Sequence, residues 1–438
     1  MKKLNIPFLL FLVIGFMVLV VGTHFLHGYQ LARNAANLRE RADRAGEKGD
    51  VDEQIRILQR YLRYEPDDMA QLKVLLAASR DRTLSAESVN LQEIYKQYNS
   101  LEKAIRNYPE DVELRRLGLD FALHPTVMRI PDAVSHLKSI ESAGEMTNKD
   151  KVIFAQCLEA QSKTGEAITD LSEMVGYNAS SNSFSDEQAT AVDEVTAYMV
   201  LLSMLERQSS REISDEVSLS ILNRMVEKNP DSASGYLRRA SFYQGKDEDP
   251  QAEEKSLADV QKALEVDTQS GDSSIGVVLN AVSIYLKLGR IQEANALLQG
   301  SLSKYPEDRR IYMALSEVKL REGNNEAALA VVEQGLAKLP LNPELIYQRA
   351  SIELDLGRVE DCRNDIKRLR EERFDPSRLD MLLARVLIKE GKLRDAESLL
   401  LRLSSRGRHS DWVSRRIDSL LMGVYKGLGQ HDKVAPIA

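Results

Sequence analysis

Between residues 275 and 406, apolar positions return on two helical faces, separated by a glycine, every 34 residues. The glycines are 289, 323, 357 and 391. Twelve residues before them stand Val277, Ile311, Leu345 and Leu379, and five before them Ile284, Val318, Ile352 and Val386. The two columns are seven apart, so they share one face of a helix. Nine after each glycine stand Leu298, Val332, Ile366 and Leu400, on a second helix. Five after each glycine comes a small side chain, Ala294, Ala328, Cys362 or Ala396, where a larger one would hold the two helices apart. The glycine predicts the end of the first helix, because a left-handed residue is cheapest as glycine. Pro306 and Pro340, seventeen after the first two glycines, predict breaks before the next unit. One such hairpin cannot bury its apolar faces alone, so the pattern predicts an all-α stack of hairpins.

The rest of the chain is less regular. Residues 35–68 carry Ala42, Gly49, Leu58 and Pro66 at matching offsets, with Gln54 in the small-residue column. The departure predicts an end repeat. Pro66 to Pro109 is 43 residues, so the unit 69–111 carries extra length, expected in the turn Asp81–Asn90 or in a longer second helix. Residues 112–146 predict a hairpin turning at His124-Pro125 and Ile130-Pro131, and 149–176 a hairpin turning at Gly165. Residues 178–186 (NASSNSFSD) read as a polar linker or loop. Irregular hairpins fill 187–274, with turns ERQSSREISDE and GKDEDPQAEE, before the regular array at 275–406. Residues 407–438 read as a partial terminal repeat. Its turn is at Gly429, and the extra length before it falls around SSRGRHSDW. With few residues after that turn, the array is expected to be cut short or sealed by another chain.

The period, the glycine at the turn, the small residue and the proline together resemble the tetratricopeptide repeat family, closely over 275–406 and loosely over 35–274. The resemblance implies a right-handed α-α superhelical solenoid that binds proteins and is not an enzyme. It also implies that the first helices line a concave groove, with inward columns ten, six and three before the glycine. The first is Leu279, Met313, Tyr347 and Met381. The second is Ser283, Glu317, Ser351 and Arg385. The third is Leu286, Leu320, Leu354 and Ile388. Two apolar columns around a polar one suit an amphipathic helix or an extended apolar peptide, with methionine adapting to shape. The competing reading buries these columns against neighbouring repeats. The Lys, Asn and Arg set with which one subclass holds acidic carboxyl-terminal peptides is not matched.

At the amino terminus the pattern changes. After Met1-Lys2-Lys3, residues Leu4 to Leu26 contain no Lys, Arg, Asp or Glu. At about 1.5 Å per helical residue this run spans a hydrocarbon core of roughly 30 Å. It is longer than the apolar core of a cleaved signal, and Gly22-Thr23-His24-Phe25 is a poor cleavage site, so an uncleaved signal anchor is expected. Lys2 and Lys3 abut one end, whereas Arg33, Arg39, Arg41 and Arg44 lie further from the other. The nearer charges predict a cytoplasmic amino terminus and an extracytoplasmic bulk, periplasmic in a bacterium. Gly15 and Gly22 share a face without forming GxxxG, so a neutral or lipid-facing role is expected.

Composition narrows the function classes. The formal charge is −8, from 67 acidic and 59 basic residues, which disfavours nucleic acid as a partner. Cys157 and Cys362 are expected as free thiols in the packed core. The six histidines, 24, 27, 124, 136, 409 and 431, show no metal-ligand spacing. No nucleophile elbow, phosphate loop, HExxH or CxxC pair is present, so no catalytic, cofactor or metal residue is predicted. Asn178-Ala179-Ser180 matches a glycosylation sequon, a signal with weight only in a eukaryotic secretory context. The expectation is a membrane-anchored scaffold for protein partners in envelope assembly or secretion. Two alternatives stand beside it. One is an accessory subunit of a polysaccharide export or secretion machine. The other is a regulatory region of an enzyme whose catalytic domain lies beyond residue 438.

Overall fold

Left-handed residues punctuate the chain and divide it into helical hairpins. The computed structural model describes residues 6–84, 91–187, 189–208, 213–244, 246, 249–270, 274–405 and 411–434, without the side chains of 6–15, 18–22, 24–25, 28, 84 and 411–412. The helices are α1 Ile6–Glu47, α2 Val51–Tyr61, α3 Met69–Leu84, α4 Leu91–Asn107, α5 Val112–Leu123, α6 Ile130–Ser142, α7 Asn148–Ala160, α8 Thr164–Val175, α9 Val195–Gln208 and α10 Asp215–Lys228. They continue as α11 Ala233–Tyr243, α12 Ala252–Gln269, α13 Ile275–Lys287, α14 Ile291–Leu302, α15 Arg309–Arg321, α16 Asn325–Lys338, α17 Pro343–Asp355, α18 Val359–Glu371, α19 Pro376–Lys389, α20 Leu393–Ser405 and α21 Asp411–Gly427. A 3-10 turn, His431–Lys433, follows. The chain forms two compact units, Met1–Ser218 and Leu219–Ala438.

In the second unit the four regular hairpins are α13–α14, α15–α16, α17–α18 and α19–α20. Ser274, Asp308, Asn342 and Asp375 cap their first helices by accepting backbone N–H groups. Each first helix ends in the same way. The N–H after the glycine reaches back five residues, as Arg290 to Tyr285 O, Asn324 to Lys319 O, Arg358 to Glu353 O and Lys392 to Leu387 O, at 2.7–3.0 Å. The glycine N–H reaches back three. This arrangement needs a left-handed residue, and Gly289, Gly323, Gly357 and Gly391 have φ of 71° to 82°. A Cβ on any of the four would meet nothing within 4 Å, so backbone conformation rather than space demands glycine. Between the helices, Ala294, Ala328, Cys362 and Ala396 are wholly buried, as are nearly all members of the three apolar columns. Val277, at the start of the array, is half-buried.

Packing at Gly335, in α16, is closer still. A Cβ there would sit 2.8 Å from Tyr312 Cγ and 3.1 Å from Leu345 Cδ1, whereas Gly300 in α14 faces open space. Gly300→Ala is therefore expected to stabilise by about 0.5 kcal/mol through helix propensity, and Gly335→Ala to destabilise. Chemical unfolding of the two variants checks this, and equal effects would contradict the close α15–α16 approach.

In the first unit, α1 pairs with α2, α5 with α6, and α7 with α8. Gly49 is left-handed as expected. Gln54 fits in the small-residue column because Gly46 faces it, where a Cβ would meet the Gln54 amide at 2.5 Å. Gly165 does not make the turn predicted for it. It lies inside α8, and Ser162, with φ of 63°, takes the left-handed position, closed by Lys163 N–H to Leu158 O at 2.9 Å. The same five-residue return bond forms with serine as with glycine, at the cost of strain in a non-glycine residue. The predicted polar linker 178–186 is part of a tight hairpin in which β1, Tyr177–Asn178, pairs antiparallel with β2, Ser183–Phe184. Tyr177 and Phe184 bring their rings to 5.2 Å, the apolar pair that the polar reading of this stretch passed over. Extra length in 69–111 is taken up partly by α3 and α4, of 16 and 17 residues; residues 85–90 of the predicted turn lie outside the described ones.

The backbone of α1 runs unbroken for 42 residues. Ala35, Leu38, Ala42 and Ala45 bury their side chains in its last turns, whereas Phe16, Met17 and Leu26 are 69%, 65% and 57% exposed. Among the described residues no helix is long and apolar enough to cross a membrane, and most side chains of the predicted span 4–26 lie outside those residues. Also outside are His409 with most of the 404–412 loop, the imidazole of His24, residues 209–212, 245 and 247–248 of the two charged turns, and 435–438.

Candidate functional site

The candidate site is the face made by the first helices of the regular hairpins. Consecutive first helices touch along it: α13 with α15, and α15 with α17. Ser283 on α13 and Glu317 on α15 are exposed, flanked by half-buried Leu279, Leu286, Met313 and Leu320. Glu317 accepts from its own helix, from Arg321 Nε at 3.1 Å.

Further along, the face is occupied by the chain itself. Arg385 donates to Ser351 Oγ at 2.8 Å and to Asp355 Oδ1 at 2.6 Å, so two members of the polar column bond to each other. Arg378 lies over the rings of Tyr347 and Phe374, 4.3 and 4.8 Å from their centroids, and donates to Glu344 at 2.7 Å. Leu354 and Met381 are buried, at 3% and 4% exposure, and Ile388 is half-buried beside Met381. The twelve predicted groove residues thus divide. Six on α13 and α15 present a partly open apolar strip around two polar positions, and six on α17 and α19 are largely engaged within the array.

Behind this face lies a feature that the column analysis missed. Eight before the glycine stand Ala281, Leu315, Arg349 and Leu383, and eight after it Leu297, Val331, Asp365 and Leu399. The third hairpin breaks both apolar columns with opposite charges. Arg349 donates Nε and Nη2 to Asp365 at 2.8 and 2.6 Å, with Asp365 only 5% exposed. Glu353, one turn on from Arg349 and 8% exposed, stands 3.9 Å from Arg349 Nε, and its Oε2 has no hydrogen-bond partner. Burial, then the negative charges of Asp365 and Asp361, push the Glu353 carboxyl up to about 7, against the pull of Arg349. The signal was a charged residue at two offsets that are otherwise apolar.

Cys157 and Cys362 are free and buried. Burial foremost, with Glu353 behind it, pushes the Cys362 thiol up to about 12, so the side chain packs as a small apolar residue. His136 is buried in α6, its Nε2 3.1 Å from Glu102 Oε1 without hydrogen-bond alignment. No group of three or more potential metal ligands occurs among the described residues.

Repeated hairpins with small-residue seams and a shared first-helix face define a helical-repeat scaffold for protein–protein interaction. Residues 279–343 and 319–385 each match a family model described as tetratricopeptide repeat, and the chain is a tetratricopeptide repeat protein over this stretch. Proteins of this family bind protein partners, and the fold is typically a non-catalytic scaffold. No curated protein matches the chain. Among solved structures, yeast Tom70 is similar at 14% identity and a TM-score of 0.41, covering 92% of this chain and 91% of its own. A tetratricopeptide repeat protein from Parabacteroides merdae is similar at 14% identity and a TM-score of 0.35, covering 81% and 99%. Pseudomonas aeruginosa pilF is similar at 21% identity and a TM-score of 0.35, covering 48% and 91%.

Proposed function

We propose that the chain is a single-pass, membrane-anchored scaffold that holds a protein partner on the α13–α15 part of the first-helix face. The observation that carries this is the division of that face. Leu279, Leu286, Met313 and Leu320 stand partly open around exposed Ser283 and Glu317, while Arg378 and Arg385 occupy the remainder. An apolar strip with polar positions between suits an amphipathic helix or an extended apolar segment. Met313→Asp, at a half-buried position, is expected to weaken partner recovery more than tenfold, about 1.4 kcal/mol or more, with little loss of fold. Pull-down with the variant checks this, and recovery equal to the parent would overturn the assignment.

The anchor reading rests on the apolar run 4–26 and on exposed Phe16, Met17 and Leu26 in an unbroken helix. A lipid environment would cover these side chains; no protein contact does so among the described residues. From Leu26 to Ala35, the first buried residue of α1 among the described side chains, about nine helical residues span roughly 14 Å, which holds the first hairpin near the bilayer surface. The orientation proposed is amino terminus in, bulk out, consistent with a role in envelope assembly or secretion. The full chain should resist alkaline extraction, and a topology reporter fused after Ala35 should be active only outside the cytoplasm. Extraction into the soluble fraction would remove the anchor, and a cytoplasmic reporter signal would reverse the orientation.

A further inference from the structure

We propose that Glu353 is a protonation-controlled joint in the third hairpin: uncharged, it lets α17 seat on α18, and ionised, it loosens that seat. The geometry carries the inference. The third hairpin places two buried acids, Glu353 and Asp365, beside one partly buried guanidinium fork. Arg349 gives both of its short bonds to Asp365, leaving Glu353 at 3.9 Å and its Oε2 without a partner. From α18, Glu353 faces Asp361, Cys362 and Asp365, and from the turn between the helices it faces Arg358. The neighbouring charges on α16 and α19 are Glu333, which acts on Arg349, and Arg385, which acts on Cys362. On the same two helices Ala350, Leu354, Cys362 and Ile366 form a buried apolar cluster, and Glu353 itself is 8% exposed, so solvent screens an added charge only weakly. A second carboxylate there must either draw Arg349 from Asp365 or reach water by separating the helices.

The carboxyl changes state near neutral pH, the range in which such a joint responds to its surroundings. Its neighbours on α17, Ser351 and Asp355, hold Arg385 of α19, so loosening of α17 is passed to the closed half of the first-helix face. This inference is independent of the partner proposed above, because the joint is built from buried residues of one hairpin.

The test is amide hydrogen exchange on the full chain in detergent micelles between pH 5.5 and 8.5, corrected for intrinsic exchange rates. Peptides from α17 and α18 should lose protection by at least about tenfold, the effect of one pK unit, as pH rises through the Glu353 transition. Peptides from α15 and α16 should not. Glu353→Gln should abolish the dependence, because the amide cannot ionise. Asp365→Asn should move the midpoint toward the ordinary carboxylate range, because it removes the charge that opposes ionisation and frees Arg349 for Glu353. A flat wild-type profile, an unchanged dependence in Glu353→Gln, or an unmoved midpoint in Asp365→Asn would each overturn the proposal.

Discussion

Ala328→Asp is expected to dismantle the second hairpin of the regular array, with a cost of several kcal/mol, enough to lower the melting temperature by ten degrees or more. Ala328 is wholly buried in the column where α15 and α16 meet, a position whose counterparts are Ala294, Cys362 and Ala396. A carboxylate at this point has no cationic partner in the same column. The seam also has no slack, since Gly335 and Tyr312 of the same pair of helices already approach closely. In a stack of hairpins the loss spreads to neighbours, because each buries its faces on the next. Ala327→Asp is the matched control: it adds the same charge one residue away, at a partly accessible position. Thermal unfolding followed by circular dichroism should show a large drop for the first and a small one for the second. Equal melting of Ala328→Asp and the parent would mean that the seam is misplaced.

Arg349→Ala is the second large effect. It removes the guanidinium that bonds Asp365 and leaves two buried carboxyl groups, Asp365 and Glu353, close together, with Arg358, which bonds Glu326, acting on Glu353 only through space. Breaking a buried pair in this way costs about 3–5 kcal/mol. Removing the whole set is different: Arg349→Leu with Asp365→Val restores the apolar residues of the two interrupted columns, Glu353→Leu removes the remaining buried carboxyl, and near-parental or higher stability is expected. The pH dependence has a definite sign. Glu353 is raised from its ordinary 4.5 to about 7, so the folded chain holds this proton more tightly than the unfolded chain. That contribution to stability is complete below pH 4.5 and is lost as pH rises to 7. Glu353→Gln should therefore melt higher than the parent at pH 8 and similarly at pH 4.5. Urea unfolding at both pH values checks the prediction.

The parts of the fold that repeat were legible because repetition makes one physical requirement visible four times. A left-handed residue at the turn, a small residue at the seam and three apolar columns each recur at 34 residues, and the helices and buried positions fall where those columns put them. Single events were not legible. Ser162 takes a left-handed turn that glycine was expected to supply, because the return bond to Leu158 fixes the conformation whatever side chain stands there. Gln54 fits a small-residue column only because Gly46 lies opposite, a pairing that no single column reveals. Twelve candidate positions could be named from the sequence, but not their division. That depends on where Arg378 and Arg385 send their guanidinium groups, and side-chain direction across a repeat boundary is not encoded in offset from a glycine. The buried triad of the third hairpin breaks two columns that the search for apolar periodicity had passed over.

The scaffold claim is tested most directly by a photo-crosslinking residue placed in the full chain in living cells, at 279, at 313 or at 299. Leu279 and Met313 lie on the partly open strip of α13 and α15, whereas Gln299 is exposed on α14, a second helix. The predicted result is one discrete protein adduct shared by positions 279 and 313 and absent at 299. No adduct at 279 and 313, or the same adduct at 299, would contradict a partner seated on the first-helix face.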